Sequence, residues 1–175
     1  NFSRITRLTK KLFDVPISAI SFVNDQSSAF KSLLDEEIIE TPRDISFCGH
    51  VINQEDILNI PETFSDDRFR NNPLVLDDPH VRFYAGCPVQ INRQKLGTIC
   101  IADHQPRYFT PPQLNWLKDV AALVETEIQN YTIKTDKGKL ASDLDQARLA
   151  SMVDPLTSLW NRQGIYNILK HQMDG

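Results

Sequence analysis

The sequence predicts an α+β domain built on an antiparallel sheet, and three stretches carry that reading. Between Val81 and Asp103 two apolar runs flank a polar turn. In the first run Phe83, Ala85, Cys87, Val89 and Ile91 share one face by the period of two, with Tyr84, Gly86, Pro88 and Gln90 on the other. The second run sets Leu96, Thr98, Cys100 and Ala102 on one face and Ile99 and Ile101 on the other. Neither face is plainly wet, so the sheet is expected to be covered on both sides. An amphipathic segment at the N-terminus and a long helical pattern from Pro111 onward supply cover.

In chain order, Phe2, Ile5, Leu8, Leu12 and Phe13 recur at helical spacing among Arg4, Arg7, Lys10 and Lys11, which predicts a sheet-covering helix ended by Pro16. Ile17 to Asn24 reads as a strand, residues 24–28 as a turn, and Ala29 to Leu34 as its hairpin partner. The acidic segment from Asp35 to Glu40 reads as a loop. Ser46 is placed to cap a short helix running to about Asn53, and Asp56 to Ile60 reads as a short strand stopped by Pro61. The connection that follows is polar but carries Phe64 and Phe69, the mark of an ordered lid or binding loop. The polar Asn92-Arg93-Gln94-Lys95 predicts a hairpin loop slightly longer than the tightest kind.

The last helical pattern begins with Thr110 as cap and Pro111 and Pro112 in its first turn. Leu114, Leu117, Ala121, Val124, Ile128 and Tyr131 form one stripe, and the apolar positions resume in a different phase at Leu140, Leu144 and Ala147. The break beside Gly138 predicts a joint between two helical segments. Leu117, Ala121, Val124 and Ile128 are read as a coiled-coil seam holding a homodimer, with Gly138 as a soft joint and Leu144 in the next segment. At Asp154-Pro155 a new element opens, and Asn161 can cap a further helix with Ile165, Ile168, Leu169 and Met173 inside.

The 175 residues suffice for one domain with a core plus a fragment of another. A net charge of −4 offers no polybasic footprint, so no nucleic-acid partner is expected. No apolar run approaches the roughly 20 residues of a membrane span and no signal-peptide pattern is present, so the expected location is cytoplasmic. Three scattered cysteines do not make a disulfide framework.

Residues 1 to about 130 resemble a bacterial signalling GAF domain. The resemblance rests on Leu12-Phe13-Asp14-Val15-Pro16, on Pro42-Arg43-Asp44-Ile45-Ser46-Phe47-Cys48-Gly49-His50, and on Asp67-Arg68-Phe69 with Asn72-Pro73. It continues in Arg82-Phe83-Tyr84-Ala85-Gly86 and in Leu96-Gly97-Thr98-Ile99-Cys100-Ile101-Ala102-Asp103. The tail, with Asp154, Leu156, Thr157, Leu159, Asn161 and Arg162, is similar to the opening of a GGDEF domain, the family that makes cyclic di-GMP. Together these imply a GAF sensor over residues 1–133, a helical linker over 134–153 and the start of a GGDEF domain over 154–175. The GAF resemblance implies five to six antiparallel strands, N- and C-terminal helices on one face, and a loop-covered pocket on the other.

The pocket candidates are Phe22, Asp66, Arg68, Phe69, Arg82, Tyr84, Thr98 and Cys100. Arg82 either reads an anionic ligand bidentately or bridges a loop carboxylate to hold the connection onto the sheet. Trp116 and Leu117 read as core or seam. Cys48 and His50 form a Cys-x-His pair with no second pair of matching spacing, so no metal is expected, and Cys48 reads as a small hydrophobe beside a locally bonded His50. Bilin-binding relatives generally carry a cysteine followed directly by histidine, and no cysteine here is. The spacing also differs from the cysteine cluster of GAF-type methionine sulfoxide reductases, which argues against an enzyme.

The resemblance thus implies a small-molecule-sensing domain, of unknown ligand and homodimeric through its C-terminal helix, controlling a diguanylate cyclase. The alternative is a structural dimerisation module whose cavity is filled by its own side chains. Mg2+ is expected only for the cyclase domain, and the 175-residue chain is expected neither to consume GTP nor to release cyclic di-GMP.

Overall fold

Antiparallel pairing brings the first and last strands together at the centre of one sheet. The computed structural model describes residues 2–22, 29–34, 37–137 and 164. Its strands are β1 (Ile17–Phe22), β2 (Ala29–Leu34), β3 (Glu37–Pro42), β4 (Leu58–Ile60), β5 (Phe83–Ile91) and β6 (Gln94–Asp103). They lie in the order β3-β2-β1-β6-β5-β4, every pair antiparallel. Two helices, α1 (Phe2–Phe13) and α4 (Pro111–Lys137), pack on one face. The short helices α2 (Phe47–Ile52) and α3 (Pro73–Leu76) belong with the connecting loops to the other.

Residues 37–42, which include part of the expected acidic loop, form β3. Ile38 and Ile39 give it β-branched character, and as the edge strand it carries Glu37, Glu40 and Pro42, residues that suit a sheet edge. The main hairpin is tighter than expected. Only Asn92 and Arg93 connect its strands, with φ of 52° and 66°, the two left-handed residues of a type I′ turn. Val89 pairs with Gly97 and Gln90 with Lys95, so Leu96 is an extra, bulged residue. The bulge changes the alternation of β6: Leu96 faces the helices with Ile99 and Ile101, while Cys100 and Ala102 face the loops. Near it, Glu125 of α4 accepts the Gln90 backbone N–H at 2.7 Å.

The inner line of α1 runs through Phe2, Thr6, Thr9 and Phe13, all buried, with both threonine hydroxyls donating to backbone carbonyls one turn back. Leu8 and Leu12, expected inside, are 58% and 48% exposed. They stand one position away from Thr9 and Phe13, about 100° around the helix, on the flank of the buried line. The helix ends with Asp14 at φ 51° and Val15 donating to the Lys10 carbonyl at 3.1 Å, a Schellman closure.

At the start of α4, Gln113 accepts from both the backbone N–H and the hydroxyl of Thr110, at 2.9 and 2.8 Å, so the N3 side chain reaches back to the cap. The expected dimer seam is corrected here. Leu117, Ala121, Val124 and Ile128 are buried against β5 and β6, together with Val120. The sheet takes the most apolar stripe, because covering its helix-side face removes more apolar surface from water than a helix pair would. Trp116 and Leu123 remain 42% and 57% exposed. Gly138, Leu144 and the segment 154–162, and with them the expected joint and GGDEF opening, lie outside the described residues.

Candidate functional site

On the loop-side face, β1 presents Ala19 and Ser21, β6 presents Thr98, Cys100 and Ala102, and β5 presents Tyr84. Gly86 leaves room where Tyr84 and α2 meet: a Cβ there would come within 2.7 Å of both Tyr84 Oη and Val51 Cγ2. Helix α2 is positioned by Ser46, whose hydroxyl accepts the Cys48 N–H at 3.3 Å. Phe47 then stacks between Phe69 and Tyr84, with ring centroids 4.6 and 4.7 Å apart, and His50 meets the Phe69 ring at 4.7 Å. Val51, Val75 and Val81 complete this cluster. The space beneath the loops is therefore occupied by the protein's own aromatic side chains.

Inside this apolar cluster sits a small polar nest. Cys48 Sγ donates to Ser21 Oγ at 3.2 Å and lies 3.6 Å from Tyr84 Oη, while Cys100 Sγ donates to the Ala19 carbonyl at 3.5 Å. Thr98 is buried on the same face of β6. The interaction with Cys100 lowers the Cys48 thiol below the ordinary range against the opposing effect of burial, and Ser21, Thr98 and Tyr84 add to the lowering. The same interaction with Cys48, with burial, pushes Cys100 well up. Burial foremost, and then the two thiols, raise Tyr84. Cys87 lies on the opposite face of the sheet, where burial pushes it up to about 12.

Of the predicted pocket residues, Phe69, Tyr84, Thr98 and Cys100 share this face. Phe22 does not: it points to the helices and packs against Phe2 at 5.7 Å, because β1 alternates and Phe22 is out of phase with Ala19 and Ser21. Asp66 and Arg68 bond each other bidentately at 2.9 and 2.6 Å at the surface, with the guanidinium 5.1 Å from the Phe69 ring centroid. Arg68 holds the Asp66 carboxyl below its ordinary 3.8. A depressed folded pKa means a contribution present above about pH 4 and lost as pH falls through the folded value. Asp66→Asn is expected to lower the melting temperature slightly at pH 7, by at most about 1 kcal/mol of stability for so exposed a pair, and not at pH 2.

Arg82 grips Glu62 with two bonds at 3.1 and 3.0 Å and lies 4.0 Å over the Phe64 ring. Glu62 also accepts the Phe64 N–H at 3.1 Å, capping the single 3₁₀ turn Thr63–Ser65. Of the two roles open to Arg82 from the sequence, the structure shows the bridge: its bidentate fork is engaged by a loop carboxylate and holds the long connection. Arg82→Ala should therefore cost about 1–2 kcal/mol of stability in this half-buried setting, read as an earlier thermal melt. Outside the connection an open cleft of about 520 Å³ is lined by Asn59, Pro61, Glu62, Asp66, Asp67 and Tyr108 among others. Sequence reasoning missed Glu62 and Ser21 as site residues, since neither stands in a motif that marks its partner, and it read Cys48 only as a small hydrophobe.

The chain matches the GAF domain family over residues 1–128. It belongs to that family. This GAF domain is 35% identical over 107 residues to the cyclic di-GMP phosphodiesterase PA2567 of Pseudomonas aeruginosa, a match covering 61% of the chain and 18% of that protein. The chain therefore spans under a fifth of the length of that curated relative. Among solved structures it is similar to the GAF domain of an Acinetobacter phosphoenolpyruvate-protein phosphotransferase, with a TM-score of 0.59, 15% identity, and coverage of 75% of this chain and 82% of that one. It is also similar to the type II free methionine-R-sulfoxide reductase of Thermoplasma acidophilum, with a TM-score of 0.57, 14% identity, and coverage of 71% and 87%. These two likenesses are of fold, and the fold thus includes an enzyme. No described helix of this GAF domain is long and apolar enough to cross a membrane. No group of three or more histidine, cysteine, aspartate or glutamate side chains suited to a metal ion occurs among the described residues.

Proposed function

We propose that this GAF domain is the cytoplasmic regulatory input of a protein that turns over cyclic di-GMP. The observation that carries the proposal is the 35% identity over 107 residues to a protein named as a cyclic di-GMP phosphodiesterase. The GGDEF-like opening from Asp154 to Arg162 supports a diguanylate cyclase, with Mg2+, as the output. That relative is named for the opposite reaction, so the test assays both: the full-length protein should make cyclic di-GMP from GTP or hydrolyse it, at a rate that changes when residues 1–128 are removed. Full-length protein active in neither direction, or insensitive to the deletion, would overturn the reading.

The input is proposed to pass through a homodimer, on a face other than the one first expected. Leu8, Leu12, Trp116 and Leu123 are exposed on the helical layer, where Phe13 and Trp116 meet at 6.2 Å between ring centroids. The α1 side is basic through Arg4, Arg7, Lys10 and Lys11, and α4 carries Asp119 and Glu127, so crossed copies would match charge as well as apolar area. Leu123→Glu should give a folded monomer at tens of micromolar by sedimentation where the unaltered chain is a dimer. A monomeric unaltered chain would remove this route.

The aromatic stack that fills the loop-side interior favours a second reading, a dimerisation module without a ligand. A small-molecule ligand would have to displace Phe47 or use the open cleft. Thermal melts across a nucleotide and metabolite panel separate the two: one stabilising compound supports the sensor, and a flat panel the scaffold.

A further inference from the structure

We propose that Cys48 and Cys100 form an oxidisable pair: a hydroperoxide converts Cys48 to a sulfenic acid, and Cys100 then closes a disulfide between α2 and β6. The two thiols come from elements that pack together, and each is buried. Cys48 is held by Ser21 Oγ at 3.2 Å with Tyr84 Oη at 3.6 Å, and Cys100 by the Ala19 carbonyl at 3.5 Å. Strand pairing sets Ser21 opposite Thr98 and Ala19 opposite Cys100, so all these groups share one patch of the sheet. Three features suit it to oxidation. Cys48 Sγ faces the hydroxyls of Ser21 and Tyr84, which can turn to stabilise its thiolate, the nucleophilic form. Thr98, on the same face of β6 as Cys100 and paired across to Ser21, puts a buried hydroxyl beside Cys48 that can hydrogen-bond the oxygen that oxidation adds. Phe47 and Tyr84 cover the patch and shield the product from bulky thiols.

The steps balance. The Cys48 thiolate attacks one peroxide oxygen, the O–O bond breaks, and alkoxide or hydroxide leaves, taking a proton to become an alcohol or water. Cys100 then attacks the Cys48 sulfur, the S–O bond breaks, and hydroxide departs as water with the Cys100 proton. Two thiols lose two electrons in all, and the hydroperoxide gains them. Closing the bond to about 2 Å between the sulfurs requires movement, and α2, only six residues long, is the element able to supply it.

The test treats the 175-residue chain with hydrogen peroxide, quenches and alkylates it in denaturant, and maps unreduced peptides by mass spectrometry. A peptide pair linked through Cys48 and Cys100, reversed by dithiothreitol, is expected, with Cys48 consumed more than about tenfold faster than Cys87. In Cys100→Ser the reaction should stop at a dimedone-reactive sulfenic acid on Cys48. The proposal is overturned if Cys48 and Cys100 stay alkylatable under peroxide that oxidises the chain's methionines, or if all three cysteines oxidise at equal rates. Should Cys100→Ser not fold, the peptide map of the unaltered chain still decides.

Discussion

Gly97→Ala is expected to abolish the native fold. A Cβ at Gly97 would lie 2.0 Å from the Ser21 carbonyl oxygen, 3.0 Å from the Ser21 carbonyl carbon and 3.1 Å from Phe22 Cα. All three are backbone atoms of the neighbouring central strand, so no side-chain rotation relieves the clash. Gly97 pairs with Phe22 on one side and Val89 on the other, beside the bulge at Leu96, and moving it would open the pairing of β1 with β6. Overpacking of this kind costs about 3 kcal/mol or more, a large part of the roughly 5–15 kcal/mol that holds a domain together. The far-ultraviolet spectrum and melt of the variant check it. A cooperative melt within a few degrees of the unaltered chain would show that the strands are not so closely paired.

Val124→Glu has the second largest expected effect, and the structure changes its meaning. Read from the sequence, the substitution would separate a dimer; in the fold it places a carboxylate in the sealed space between α4 and the sheet. An unpaired charge there costs about 3–5 kcal/mol or forces the group to stay protonated. The expected result is loss of the cooperative melt at neutral pH, with partial recovery under mild acid as the carboxyl neutralises. Leu123→Glu, one residue earlier and exposed, should leave the melt nearly unchanged. The reverse pattern would mean that α4 is rotated about its axis.

The parts of this architecture legible in the sequence are those written in local periodicity and punctuation. Alternation marked β5 and most of β6, Ser46 and Pro16 marked helix ends, and Thr110 with the two prolines marked the start of α4. What was not legible depended on partners distant in sequence. Helical spacing alone could not say that threonines 6 and 9, rather than leucines 8 and 12, face the sheet, because the choice is made by how closely α1 can approach β1. The α4 stripe looked like a seam for the same reason, since an apolar line does not name what it packs against. Polar residues made β3 look like a loop, although at a sheet edge such residues are an advantage. At the candidate site, aromatic and cysteine positions were visible one by one. That Phe47 would fill the space under the loops, and that Glu62 would occupy Arg82, required residues 20 to 40 positions apart to be placed together.

The most direct test of the regulatory account is the rate of cyclic di-GMP turnover by the full-length protein carrying Leu123→Glu, beside the unaltered protein at the same concentration. The substitution touches only the exposed side of α4, so synthesis or hydrolysis should change several-fold while the GAF domain stays folded. Equal turnover by the two proteins would contradict the account.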